Sequence, residues 1–443
     1  MFTRRQIINL LIPLILEQML TGLMGIADTM MVTAVGESAI SAVALVDSIN
    51  TLVINLLTAL AAGGVIVCAQ YLGRDNREQA NAAARQVLLV SSALSLVFMA
   101  VCLTLRGPLL SLIFGHVEES VMDQALIYFL ITALSYPFIA VQQTAAATFR
   151  VGGHSAQPMI VAAIANGVNI AGNAVTIYVL NMGVAGAALA TTASRVVSGV
   201  VLLCMLRRRD LPIFIRDYAK LRFDRPLAGM VLRVGVPTGV ENSMFQLGKL
   251  MVQSTVSTLG TTAMAAQAMI QTLELVQTLP SQAIGTGLLT VAGQCIGAGR
   301  VDEMKKYTKR FCLYAEVTMI VVSGVVLAAA PFVTRVSRMT EASAALTIQM
   351  LIICSIVKCF IWVLAFTLPN GMRAAGDVRF SATVSALSMW IFRVGGSFLL
   401  CRVFDMGLLG VWVAWFADWL CRLIIYVWRY FSGKWMGKRV IQD

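Results

Sequence analysis

Charge is what this sequence has least of. Only 13% of its 443 residues are charged, and acids are the scarcer kind, 22 against 34 Lys and Arg, for a formal net charge of +12. Histidine is nearly absent, with two residues, and the nine cysteines form no CxxC pair and sit beside neither histidine. Cys68, Cys102, Cys204, Cys354 and Cys421 lie inside apolar runs, where cysteine is a small hydrophobe, so no disulfide and no metal is expected. HExxH, GxSxG and phosphate-loop patterns are missing, which argues against an enzyme, and nothing resembles a selectivity filter. What fills the space is hydrophobic: 58% of the chain, with a mean hydropathy of +0.80. A soluble core cannot use that much apolar surface, whereas a stack of membrane-spanning helices can. The first apolar run is far longer than a signal-peptide core, so no cleavable signal is expected.

The apolar runs give twelve candidate spanning helices, near 7–33, 43–70, 86–105, 122–148, 157–180, 184–206, 231–258, 264–294, 311–333, 342–369, 379–401 and 407–430. Their connections alternate in charge. One set holds Arg4, Arg5, Arg74 to Arg85, Arg150, the stretch from Arg207 to Arg233, Arg300 to Arg310, Arg373 to Arg379 and the tail from Arg429; the other holds only Arg106, Arg335, Arg338 and Arg402. By the positive-inside rule both termini and the central linker are cytoplasmic, in a plasma or inner cell membrane. The basic surplus is thus a topology signal and a contact for anionic lipid, and nucleic acid is not an expected partner.

The stretch "RRRDLPIFIRDYAKLRFDRP" (207–226) is the only long polar segment. It divides the chain into an N-terminal six-helix lobe (1–206), a cytoplasmic linker (207–230) and a C-terminal six-helix lobe with a short basic tail (231–443). The lobes repeat. A shift of 224 brings Pro13 onto Pro237, Glu17 onto Glu241, Gly36 onto Gly260, Gly63 onto Gly287 and Gln70 onto Gln294, and "MGVAG" (182–186) onto "MGLLG" (406–410). Arg150 and Gly153 meet Arg373 and Gly376 after a one-residue slip. Six helices per half give both halves the same orientation. The expected fold is an all-α integral membrane protein of twelve transmembrane helices, in two parallel-repeat six-helix bundles around a central cavity, working by rocking alternating access.

Two carboxylates interrupt the first run, Glu17 and Asp28. An ionisable side chain in the bilayer costs roughly 2.5–3.5 kcal/mol by insertion scales, so it marks a polar interior, a cavity or an ion. Eleven residues at about 100° each bring the two acids within about 20° of one another on the helix wheel, but about 16 Å apart along the axis. They share a face without sharing a coordination shell. For Asp28 the alternative is a helix-end residue reaching headgroups; for Glu17 and its repeat Glu241 it is a structural hydrogen bond near a proline-bearing helix start.

The segments "PLILEQMLTGLMGIADTMMV", "LGRDNREQA", "IGAGRVDEM" and "GVAGAALATTAS" resemble the multidrug and toxic compound extrusion (MATE) family along nearly the whole chain. The resemblance implies an antiporter exporting organic, often cationic compounds in exchange for Na⁺ or H⁺. The family's N-terminal-lobe cation site matches Asp28, with Asn169, Asn173, Thr191 and Gln143, and a second family acid matches Glu241. Two positions depart from the family: Asn173 stands where an acid is common, and Trp362 where some relatives have one.

Beside that resemblance, Gln267, Gln271, Glu274 and Gln277 form a polar stripe at helical spacing, with Asp47 and Asn50 at the repeat positions of Gln271 and Glu274. Such a stripe faces protein or water, lining a cavity or bonding helix to helix. Glu241, Gln267, Gln271, Glu274, Asp47, Asn50 and Lys249 are therefore the substrate candidates, and Asp28, Glu17, Asn169, Asn173, Thr191 and Gln143 the cation-coupling set. Lys249 and Lys358 are read either as substrate contacts or as partners in salt bridges across helices. Arg195, Arg393, Glu316 and Asp418 read as structural or interfacial. The function expected is export of lipophilic small molecules by a monomer without cofactors, coupled to H⁺, with Na⁺ as the alternative ion. A flippase for lipid-linked oligosaccharide is the runner-up, for which a more basic cavity would be expected.

Overall fold

The computed structural model describes residues 1–115, 118–216, 222–337, 339–438 and 440–441. Arg338 of the sparse loop set and residues 217–221 of the linker lie outside them. The described chain is helical: α1 (Arg4–Thr33), α2 (Glu37–Gly73), α3 (Arg77–Thr104), α4 (Arg106–Phe114), α5 (Glu119–Ala133), α6 (Tyr136–Val151), α7 (Ala156–Asn173), α8 (Gly183–Met205), α9 (Arg225–Ser257), α10 (Thr261–Gly297), α11 (Val301–Val336), α12 (Glu341–Phe366), α13 (Leu368–Ala374), α14 (Val378–Ser388), α15 (Gly396–Arg402) and α16 (Gly407–Phe431).

Short α4 aside, these make twelve rods, one for each apolar run. The rods overrun the apolar runs because polar residues cap them: Thr3 closes a capping box with Gln6, and Asn76 and Thr340 accept from the backbone N–H groups of Gln79 and Ser343. Among the described residues nine rods are apolar enough to span a membrane as single helices. The α5–α6 pair, bent by 45°, makes a tenth. The other two, α9 and α10, carry Glu241 and Lys249, and the polar stripe.

Two runs that read as continuous are broken. Helix α6 begins with Pro137 in its first turn and α13 with Pro369, since proline cannot donate its amide to the preceding turn. Two others contain π turns, Ala174–Val179 after α7 and Met389–Gly395 between α14 and α15.

The repeat is written into the turns. Positive φ occurs at Gly36 (134°) and Gly260 (92°), at Asp75 (58°) and Gly299 (74°), and at Asn181 (51°) and Asp405 (50°). Each pair is 224 residues apart. The chain forms two compact units, Phe2–Gly239 and Val240–Asp443, the second with Met1. The core of the first includes Val46, Leu57, Phe129 and Tyr136; that of the second includes Phe311, Met319, Trp412, Trp419 and Tyr426. Within the first unit α2 meets the start of α9 backbone to backbone, and a Cβ added at Gly63 would lie 2.8 Å from the Gly235 nitrogen. The linker, polar in sequence, is docked there too: Leu211, Ile213 and Ile215 are buried, and Asn81 of α3 accepts from the Phe214 N–H at 2.8 Å.

Candidate functional sites

In the N-terminal unit the polar residues of six helices converge. Asn173 of α7 donates to Asp28 of α1 at 2.6 Å and to Asn169 at 3.3 Å, and Asn169 donates to Thr191 of α8 at 3.3 Å. The asparagines are fully buried and Asp28 is half-buried. The first π turn starts immediately after Asn173. Such bulges recur at functional sites because they re-aim the residues beside them.

A second carboxylate belongs to the same neighbourhood. Asp47 of α2 accepts from Asn50 at 3.1 Å and from the Tyr128 hydroxyl at 3.4 Å. Asn50 donates on to Thr132 at 3.3 Å and accepts from Tyr136 at 2.8 Å. Asp28 and Asp47 act on each other electrostatically, and Arg195 of α8 acts on both, while its guanidinium is anchored on Ser135 at 2.9 Å. Asp47, read from sequence as a substrate contact, thus lies near the residues read as cation-coupling, and Arg195, read as structural, is a positive charge acting on both acids. Gln143 of α6 is half-buried, and no hydrogen bond joins it to this group.

Glu17 is elsewhere. Buried on α1, it is held at 2.6 Å by Arg150 from the end of α6. Its repeat does the same: Glu241 of α9 is gripped by Arg373 of α13 at 2.7 and 2.9 Å. Glu17 is thus apart from the Asp28 group, and each acid is paired with an arginine, Arg150 buried and Arg373 half-buried. The sequence repeat contained both halves of both pairs, Glu17 with Glu241 and Arg150 with Arg373, and that coincidence was the signal available.

The stripe on α10 divides. Gln267 is fully buried and accepts from the Trp412 indole at 3.0 Å, and Gln277 donates to Ser355 at 2.9 Å and accepts from Lys358 at 2.8 Å. These two bond helix to helix, and Gln267 Nε2 is a buried donor without an acceptor. Gln271 is exposed and Glu274 half-buried, with Lys358 at 3.4 Å from its carboxylate. Lys249 is exposed, its ammonium 5.8 Å from the centre of the Phe245 ring. Deeper in the unit, Asp418 of α16 pairs with both Arg393 at 2.9 Å and Arg422 at 2.8 Å. Among the described residues no group of three or more His, Cys, Asp or Glu side chains could hold a metal ion.

Twelve helical rods in two repeats, with charged groups kept inside the units, define a multi-pass membrane transporter. Residues 13–175 and again residues 237–399 match the MatE family, two matches that begin at the same 224-residue offset as the repeat, and the chain belongs to that family. It is 25% identical over 447 residues to a probable multidrug resistance protein, NorM, of Thermotoga maritima, covering 99% of this chain and 94% of the relative. It is likewise 25% identical to an uncharacterized transporter, YisQ, of Bacillus subtilis, covering 96% and 94% of the two chains. A solved structure of a multidrug resistance MATE family transporter in an outward-facing conformation superposes with a TM-score of 0.88 at 20% identity, covering 98% of this chain and 96% of that one.

Proposed function

We propose that this chain is a secondary antiporter of a cell membrane, with both termini and the linker cytoplasmic, that exports amphipathic organic compounds in exchange for protons bound at Asp28. The observation that carries the reading is the chain of contacts from Asp28 through Asn173 and Asn169 to Thr191, with Arg195 acting on both nearby carboxylates. A hard cation such as Na⁺ needs several oxygens and enough negative charge to offset its dehydration. Here Arg195 offsets one of the two negative charges, so the balance is poor for Na⁺. A proton needs a single carboxyl withdrawn from water. Deprotonated, Asp28 attracts a cation; protonated, it does not, and where proton and substrate favour different conformations the gradient drives export.

The test is ethidium export from proteoliposomes under an imposed pH gradient or an imposed Na⁺ gradient, each alone. Export is expected to follow pH, and Asp28→Asn to abolish it while the protein stays folded and inserted. Export that follows Na⁺ and ignores pH, or an Asp28→Asn protein pumping at the wild-type rate, would overturn the assignment.

A further inference from the structure

The repeat can be followed into the neighbourhood of the N-terminal site. Gly172 packs on Ala190 in the first unit and Gly396 on Ala414 in the second; Gly186 packs on Thr176, and Gly410 on Leu400. All four residues in each set are related by 224, which fixes the register. The same shift carries Asp28 to Val252, Asn169 to Arg393 and Thr191 to Trp415. Where the first unit has an amide donating to a hydroxyl at 3.3 Å, the second has a guanidinium lying 4.4 Å from the centre of an indole ring. The carboxylate of the first unit is a buried valine in the second. The polarity is reversed.

The charges around this place do not balance. The Phe245 ring is shared by three cations: Arg393 at 4.9 Å, Arg422 at 5.2 Å and Lys249 at 5.8 Å. Asp418 serves both arginines. Glu274 acts electrostatically on Lys249 and Arg393, but its close partner is Lys358. Four cations therefore face two carboxylates. Arg393 is 97% buried, and its Nε and the Trp415 indole nitrogen are buried donors with no acceptor. An unmatched buried cation and an unsatisfied buried donor each carry a penalty. An anionic acceptor would relieve both, and the exposed Lys249 offers it a way in.

We propose that the C-terminal unit holds an organic-anion site, in which the carboxylate of an amphipathic compound is received by Lys249 and Arg393 beside the Phe245 and Trp415 rings. The ligand is a monovalent aromatic or apolar carboxylate, and a zwitterion would present the same group. Aromatic walls with fixed donors suit that chemistry: the rings take the apolar body while the cations orient the charged end. The inference rests on the transport reading only in supposing that the chain binds small organic compounds; it does not need Asp28 to couple their movement.

The experiment is equilibrium binding of radiolabelled 2-naphthoate to the full-length purified protein in nanodiscs. Wild type is expected to bind, 2-naphthalenemethanol to compete poorly, and chloride to compete only at far higher concentration. Lys249→Gln should weaken binding roughly tenfold, the scale of one charge-assisted hydrogen bond, and Lys249→Arg should restore it. Absence of naphthoate binding, equal competition by the neutral alcohol, stronger competition by chloride than by naphthoate, or a Lys249→Gln protein with wild-type affinity would each overturn the proposal. Loss of pH-driven ethidium export with naphthoate binding intact would count against the coupling reading alone.

Discussion

Asp28 and Asp47 share one arginine, and under the proposed coupling this arithmetic sets which ion the N-terminal site prefers. Asn173→Asp adds a negative charge in contact with Asp28, and Arg195→Gln removes the positive charge acting on both acids. Either change makes the site more negative, so each is expected to raise Na⁺ affinity, read as Na⁺-dependent export at fixed pH. Glu17 poses a different question, because its carboxylate and Arg150 are about 10% exposed and 2.6 Å apart. Removing one member of a buried pair strands the other's charge, at a cost of about 3–5 kcal/mol. Glu17→Gln is expected to lower thermal stability in detergent, and Glu17→Gln with Arg150→Gln to lower it by less than the sum of the two single changes. Additive losses would show that the pair is not coupled. At this scale the sequence exposed the costly residues, since an acid in an apolar run is conspicuous anywhere. It did not show their partners: Arg150 lies 133 positions from Glu17, and no local pattern says which turn of which helix it meets.

Helix existence was legible because hydrophobic runs of spanning length leave the backbone no other way to satisfy its hydrogen bonds. Breaks within those runs were harder to see. Pro137 and Pro369 open α6 and α13, yet Pro13, Pro237 and Pro280 sit inside unbroken helices. The difference lies in what neighbouring helices can accommodate, and proline alone does not encode it. The π turns leave no sequence mark at all. Where two helices touch backbone to backbone, bulk is what the contact excludes. Gly63→Val would drive side-chain carbons into the Gly235 backbone, with an expected loss of about 1–3 kcal/mol, measurable as a lower melting temperature. An unchanged Tm would mean that α2 and α9 can part without cost.

For the molecule entire, the proposed orientation rests on counting basic residues in loops. Even with Arg338 counted, the sparse set has four arginines, while the stretch from Arg207 to Arg233 alone has seven. Reporter fusions are expected to place residue 112, next to Arg106, outside, and the linker inside. A cytoplasmic reporter at 112 would invert the assignment. Duplication has left a chemical asymmetry: two copies of one six-helix plan share their ion pairs and turns, yet one carries an acid with amides where the other carries arginine with tryptophan.

The sequence by itself determined the class, the twelve helices, the 224-residue repeat and the identity of the residues too polar to face lipid. Those properties depend on composition and on spacing along the chain, which the bilayer reads directly as transfer free energy. Only the tertiary structure decided which of those residues meet. It moved Glu17 and Glu241 into ion pairs, Gln267 onto Trp412 and Asp47 to the neighbourhood of Asp28. The physical reason is that a polar side chain in an apolar bundle must find a partner on another helix. Which partner it finds is set by helix rotation, crossing and breaks, geometry that arises only once the helices pack.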